Sequence, residues 1–462
     1  MTLIKSISGI RGTIGGAVNN GLTPVDAVKF AAAYGTWIIN RNPKQNIKVV
    51  IGRDARISGP MISSLVSATL SGLGIEVFDL GLSTTPTVEI AVPLEKAHGG
   101  IIITASHNPK EWNALKLLNE KGEFISGTDG EEVLSIADQE DFNFASVDDL
   151  GAIIPNDTYL QKHIDAILAL PIVDVNAIKL SDFKLVVDAV NSSGGIFVPA
   201  LLKALGVTQI TELYCDPTGH FPHNPEPLPA HLIDLSNKIK EVGADLGITV
   251  DPDVDRLAFV CEDGSMFGEE YTLVAVADYV LSKTPGATVS NLSSTRALRD
   301  VTEGYGQTNA SAAVGEVNVV AKMKEIHAVI GGEGNGGIIY PELHYGRDSL
   351  VGIALFLSHL AHKKIKVSEL RDSYPTYTIS KNKIELTPET DVDHILKSMA
   401  ERYKDQEVDT TDGVKIYIDK EWVHVRKSNT EPIIRIYSES KDEHAAEALA
   451  LKIIAEIQVL IK

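Results

Sequence analysis

One serine and three aspartates stand out as groups whose types and spacing could do chemistry together. Ser106 lies in Thr104-Ala105-Ser106-His107-Asn108-Pro109, directly after the apolar run Ile101-Ile102-Ile103. Three β-branched apolar residues predict a buried strand, and a polar turn stopped by proline would present the serine hydroxyl, exposed, at the strand's end. Asp251, Asp253 and Asp255 alternate in Asp251-Pro252-Asp253-Val254-Asp255-Arg256, after the apolar strand Leu246-Gly247-Ile248-Thr249-Val250. Three carboxylates this close repel one another unless a cation compensates, and hard oxygen ligands suit Mg²⁺. They would face one way from an extended stretch or from a curled loop. A serine that carries a phosphoryl group needs such a cation nearby. Each cluster also has a plainer explanation: a turn in which Ser106 and Asn108 bond to nearby backbone, and a solvated acidic turn.

Two sharper alternatives for the aspartates fail on paper. A calcium-binding EF-hand loop would also alternate its aspartates, and Glu262 falls at the twelfth position. It needs glycine at the sixth, where this chain has Arg256, and helical flanks where these read as strands. A phosphatase with an aspartate nucleophile would want Thr or Val at the fifth place of the motif, which is Asp255. Two further segments bear on ligands. In Gly332-Glu333-Gly334-Asn335-Gly336-Gly337 the glycines allow close backbone approach, while Glu333 and Asn335 suit sugar hydroxyls; an ordinary turn explains it equally well. The loop lacks the lysine of a nucleotide P-loop. Arg426-Lys427-Ser428-Asn429-Thr430-Glu431-Pro432, followed by Arg435, is either a polar hairpin turn or a phosphate cradle built on guanidinium groups.

These segments must be positioned by something, and the pattern predicts what. Strand–helix–strand recurs as 47–52, 60–73 and 75–80, then 184–188, 194–205 and 209–214, then 287–291, 296–305 and 328–331. Such alternation implies three related α/β domains with mixed, mostly parallel sheets. From about Thr376 the strands 377–386, 413–418, 422–426 and 433–438 come in quick succession with helices 391–403 and 442–461, predicting a smaller α+β domain. The chain has 462 residues, more than one core usually serves. Apolar content of 44% is ordinary for a globular protein, and no run is long enough to cross a bilayer. With no signal-peptide pattern and only Cys215 and Cys261, a cytoplasmic location is expected. A net charge of −20 argues against nucleic acid and obliges any anionic substrate site to gather its own positive charge. Arg11, Arg53, Lys116, Arg256, Arg426 and Arg435, all in glycine- or turn-rich segments, are the candidates.

The four motif segments, in this order, resemble the α-D-phosphohexomutase family, and the resemblance covers essentially the whole chain. It implies four domains around a central cleft: 1–158 with the phosphoserine loop, 159–264 with the metal loop, 265–375 with the sugar loop and 376–462 with the phosphate turn. It implies that Ser106 is the phosphoserine and that Asp251, Asp253 and Asp255 bind Mg²⁺ together with an oxygen of its phosphoryl group. Glu333 and Asn335 would read the sugar. Arg256 would bind substrate, and Arg426, Ser428, Asn429, Thr430 and Arg435 would hold its non-reacting phosphate. Lys116 would transfer a proton, and His107 and Arg11 would line the site. The implied reaction interconverts hexose 6- and 1-phosphates through a 1,6-bisphosphate, with glucose- or glucosamine-1,6-bisphosphate as activator. Glucosamine 6-phosphate is the expected sugar, with glucose and mannose phosphates as the alternative and a metal-dependent sugar phosphatase as a more distant one. The loop Glu333-Gly334-Asn335-Gly336-Gly337 lacks the histidine of bacterial phosphoglucosamine mutases, and Asn429 replaces a common glycine; neither change removes a charged or ligating group. The expected partners are a phosphosugar and, at most, a second copy of the chain (monomer or homodimer), with neither nucleic acid nor membrane.

Overall fold

The computed structural model describes residues 2–461 apart from 7–8, 44, 388–389 and 429–432. The chain forms two compact units, one holding residues 1–272 and 336–368, the other 273–335 and 369–462.

The first unit contains a seven-stranded mixed sheet and a four-stranded one. In the larger sheet Gly99–Ile103 runs parallel to Lys48–Arg53 and antiparallel to Trp112–Leu118. Side chains alternate across a strand. Val49, Ile51, Ile101 and Ile103 therefore meet Phe30, Tyr34, Ile62 and Val66 on one face, while Val50 and Ile102 meet Val88 and Val92 on the other. Burial on both faces explains why these strands read as continuous apolar runs rather than alternating ones. In the smaller sheet Leu246–Val250 lies between Lys184–Asp188, parallel, and Leu257–Cys261, antiparallel. Phe259 stacks on Phe356 of the helix Ser349–Lys363, ring centroids 3.9 Å apart.

In the second unit Thr288–Asn291 pairs in parallel with Asn309–Ala312 and with Ile330–Glu333. Here the expected strand–helix–strand unit was too simple. The strand Asn309–Ala312 and the helix Glu316–Ile326 intervene before the last strand. The remainder is a five-stranded antiparallel sheet that includes Thr378–Glu385, Val414–Ile418, Glu421–Lys427 and Ile433–Ser440. The helices Val392–Arg402 and Glu443–Ile461 cover one face through Ile395, Met399, Ile453 and Ile457, which pack on Val414, Ile416, Val423, Val425, Ile434 and Ile436. By the same alternation Lys415, Trp422, His424, Arg426, Arg435 and Glu439 project from the opposite face. Three α/β sheets and a smaller antiparallel domain agree with the expected fold class.

Candidate active site

Ser106 sits just past the end of Gly99–Ile103, in a turn with φ of 50°. A non-glycine residue in this left-handed region costs about 1–3 kcal/mol and persists only where its surroundings over-determine it. They do so here. The backbone N–H of Ser106 donates to Thr104 Oγ1 at 2.9 Å, and that hydroxyl donates to Asp54 Oδ2 at 2.7 Å. Arg56, fully buried, donates to the carbonyls of Ser106, Asn108, Pro109 and Trp112 and pairs with Asp54 at 3.0 Å. Burial pushes the Asp54 carboxyl up from its ordinary value, and Arg56 opposes that shift. Arg53, one of the six cations anticipated for an anion pocket, donates to the carbonyl of Asp54. The serine is also less open than its sequence suggested. Only 8% of it is exposed, because its hydroxyl donates to Asp251 Oδ2 at 2.9 Å.

The aspartates are brought together by a curled loop rather than an extended one. Val254 takes φ of 64°, and one ligand oxygen from each of Asp251, Asp253 and Asp255 lies within 4.8 Å of the others. All three are buried. Asp251 Oδ1 accepts the backbone N–H groups of Asp255 and Arg256. Asp253 Oδ2 accepts from Lys116 Nζ at 2.7 Å and Thr85 Oγ1 at 2.6 Å, and Asp255 Oδ2 accepts from Arg347 Nη2 at 2.7 Å. The second oxygens, Asp253 Oδ1 and Asp255 Oδ1, are buried with no hydrogen-bond partner among the described residues. Leaving carboxylate oxygens buried and unpaired is costly. Two open oxygens beside a third carboxylate and a serine hydroxyl make a donor set that fits a hard divalent cation. Burial, then Asp255 and Asp253, raise Asp251 well above the ordinary carboxylate range. Burial also disfavours charge on Asp253, but Lys116 and Thr85 outweigh it and hold that carboxyl below its usual value. Lys116 itself is held above the usual lysine value; burial works against its charge, and Asp253 and Asp255 prevail.

Positive charge gathers around the serine turn despite the acidic chain. Arg11 Nη1 donates to Asn108 Oδ1 at 3.2 Å, and Arg256 lies 3.5 Å from Glu226. His107 Nδ1 stands 3.4 Å from Ser106 Oγ. Burial and then Arg256, with Arg11 and Arg347 beyond, push its pKa down to about 2.

The second unit assembles the other two segments. Glu333, buried, accepts from Asn291 Nδ2 at 2.8 Å and from the Gly315 N–H at 3.1 Å, and Asn335 Nδ2 lies 3.4 Å away. Arg426 and Arg435 face each other directly across adjacent antiparallel strands. Burial lowers the Arg426 pKa, with Asp412, Arg435 and Glu333 among the charges it feels. Its Nε is buried without a partner among the described residues. Ser428 is buried and its N–H donates to the Ile433 carbonyl. Asn429 and Thr430 lie outside the described residues.

Four domain models of a single family match the chain in order. They are phosphoglucomutase/phosphomannomutase alpha/beta/alpha domain I over residues 3–144, domain II over 161–264, domain III over 268–377 and the C-terminal domain over 383–456. The chain belongs to the phosphoglucomutase/phosphomannomutase family. A phosphoglucomutase/phosphomannomutase of Thermococcus kodakarensis is 37% identical, the alignment covering 96% of this chain and 98% of the relative. A phosphoglucosamine/phosphogalactosamine mutase of Sulfurisphaera tokodaii is 34% identical over 94% and 95%. Among solved structures, a phosphoglucomutase/phosphomannomutase family protein of Burkholderia thailandensis superposes with a TM-score of 0.83 at 26% identity, covering 99% of this chain and 97% of that one. This phosphohexomutase is therefore an enzyme. Among the described residues, no helix is long and apolar enough to cross a membrane.

Among the residues of the phosphohexomutase's two candidate clusters that escaped the sequence reading are Asp54, Arg56, Thr85, Asn291 and Arg347. Arg56 could have been sought in Arg53-Asp54-Ala55-Arg56, a charged cluster placed, like Ser106, just after an apolar strand. Arg347 carried no signal, because it meets Asp255 only through tertiary packing.

Proposed function

We propose that this phosphohexomutase interconverts glucosamine 6-phosphate and glucosamine 1-phosphate through a phosphorylated Ser106 and a 1,6-bisphosphate. The observation that carries the phosphoserine assignment is the Ser106 hydroxyl 2.9 Å from Asp251 Oδ2, within a triad whose other two members each keep a buried oxygen open. Asp251, Asp253 and Asp255, with an oxygen of the phosphorylated serine, would hold Mg²⁺, and the ion would neutralise charge on the transferring phosphoryl group. In the first transfer the bond from Ser106 Oγ to phosphorus breaks as the sugar's free hydroxyl oxygen bonds to phosphorus. The hydroxyl's proton would pass to Lys116 in its neutral form, which the pairing with Asp253 and Asp255 opposes until that pairing is broken, while His107 would line the site uncharged. The bisphosphate then turns around, and Ser106 Oγ bonds to the other phosphorus as the bond from that phosphorus to the sugar's ester oxygen breaks; the proton returns to that oxygen and regenerates a sugar hydroxyl. Arg426 and Arg435, with Ser428, Asn429 and Thr430, would grip the phosphate that does not react, and Glu333 and Asn335 would bind sugar hydroxyls or the amino group. Arg11 and Arg256 would supply local positive charge for the phosphosugar.

The amino-sugar assignment is supported by the Sulfurisphaera tokodaii relative at 34% identity; the 37% identical Thermococcus kodakarensis relative favours a second reading on glucose and mannose phosphates. One assay series separates them: glucosamine, glucose and mannose 6-phosphates side by side, with a trace of 1,6-bisphosphate and Mg²⁺. We expect the highest kcat/KM on glucosamine 6-phosphate, no stoichiometric release of free phosphate, and loss of turnover in S106A with sugar phosphate binding retained. An active S106A enzyme would overturn the phosphoserine. Preference for glucose or mannose 6-phosphate would overturn the sugar, and steady phosphate release would indicate a phosphatase.

A further inference from the structure

Two carboxylates of the triad are each gripped by one oxygen and open at the other, and, besides Lys116, which bonds both gripped oxygens, the groups that grip them share a common support. Arg347 holds Asp255 Oδ2, and Thr85 holds Asp253 Oδ2. The residue after Arg347 is Asp348, fully buried, which caps the helix Ser349–Lys363 by accepting from the N–H groups of Leu350 and Val351. Its other oxygen, Oδ2, accepts from His163 Nε2 at 2.9 Å and lies 3.3 Å from His344 Nε2. On the far side of the buried His163 ring, Nδ1 stands 2.9 Å from Thr87 Oγ1, which lies 2.6 Å from Thr84 Oγ1. Thr84 caps the helix Thr85–Leu94, which begins with Thr85. The loop carbonyls are held from the same two helix ends: Thr85 N–H donates to Asp253 O at 2.9 Å, and Ser349 N–H donates to Val254 O at 3.2 Å.

We propose that Arg347 is a positioning residue for the divalent cation, braced by the Asp348–His163 pair, which fixes Asp255 and, through Thr87 and Thr84, Asp253 so that each presents its open oxygen to the ion. The inference rests on the Asp triad being the metal site. A guanidinium on one oxygen restricts rotation of the carboxylate and leaves a single donor toward the ion, the usual task of groups that hydrogen-bond to metal ligands. Simple charge competition predicts the opposite sign, since a cation beside Asp255 would weaken binding of a second one. The sign of the effect therefore decides between the two accounts.

The test is Mg²⁺ affinity by titration calorimetry on the full-length, unphosphorylated chain, independent of turnover. We expect R347M to weaken Mg²⁺ binding about 10- to 100-fold and R347K to regain most of it. D348N, which keeps a side-chain acceptor for the helix cap, should show a smaller weakening in the same direction while its circular dichroism stays that of wild type. If R347M binds Mg²⁺ as tightly as wild type or more tightly, or if R347K repairs nothing, the assignment is overturned. A wild-type protein that binds no Mg²⁺ would instead overturn the triad as the metal site, and this inference with it.

Discussion

At the residue scale, the serine turn depends on one buried cation. Arg56 bonds to four carbonyls of the segment 106–112 and to Asp54, and both side chains are fully buried. Truncating one partner of such a pair leaves the other charge buried and uncompensated, at a cost of about 3–5 kcal/mol. R56M should therefore lose about that much stability in urea unfolding, whereas a change at Arg53, which is only partly buried and bonds one carbonyl, should cost far less. Equal losses at the two positions would show that Arg56 does not staple the turn. The neighbouring strain agrees with this account. Ser106 and Val254 both hold positive φ, and Val254 is β-branched, for which this region is a true outlier. Such conformations last only where hydrogen bonds over-determine them.

At the element scale, the last sheet shows how one alternation serves two ends. Every second residue of Glu421–Lys427 and Ile433–Ser440 builds the core beneath two helices, and the intervening positions place Arg426 opposite Arg435. Like charges directly opposite on neighbouring strands are destabilising. An arrangement that costs stability and leaves Arg426 Nε buried and unpaired among the described residues suits a site that binds an anion. R426A should raise KM for the phosphosugar about 10- to 100-fold, the range of a charge-assisted hydrogen bond worth about 1.5–3 kcal/mol. Its melting temperature should not fall. An unchanged KM in steady-state kinetics would remove Arg426 from the phosphate cradle. Two strands missed in the sequence share a cause: Asn309–Ala312 reads Asn-Ala-Ser-Ala and Glu407–Asp409 reads Glu-Val-Asp, both almost without the β-branched and aromatic residues that signal strands.

At the scale of the whole molecule, Ser106, Asp251, Asp253, Asp255, Lys116 and Arg347 all belong to the first compact unit. A ligand that binds only folded protein stabilises the part that holds it, by about 2.7 kcal/mol at one hundred times its Kd. Chains of several domains need not unfold in one step. In scanning calorimetry Mg²⁺ should raise the transition of the first unit, and D253N should abolish the gain. The same upward shift in D253N would place the ion elsewhere.

The candidates for chemistry, and where each stands along its strand, were legible in the residues alone. Apolar runs end where polar turns begin, so Ser106 and the Asp251–Asp255 loop could be located before any fold was known. Family membership, too, was legible in four separated segments. Burial, pairing and the identity of the supporting cations were decided only by tertiary structure. Arg56 and Arg347 reach their carboxylates across segments far apart in the chain, and Asp348 and His163 meet although nothing in their local sequence points one to the other. Hydrophobic periodicity is a local property, readable within a dozen residues, whereas the charge a buried carboxylate meets depends on which distant backbone the packing brings beside it.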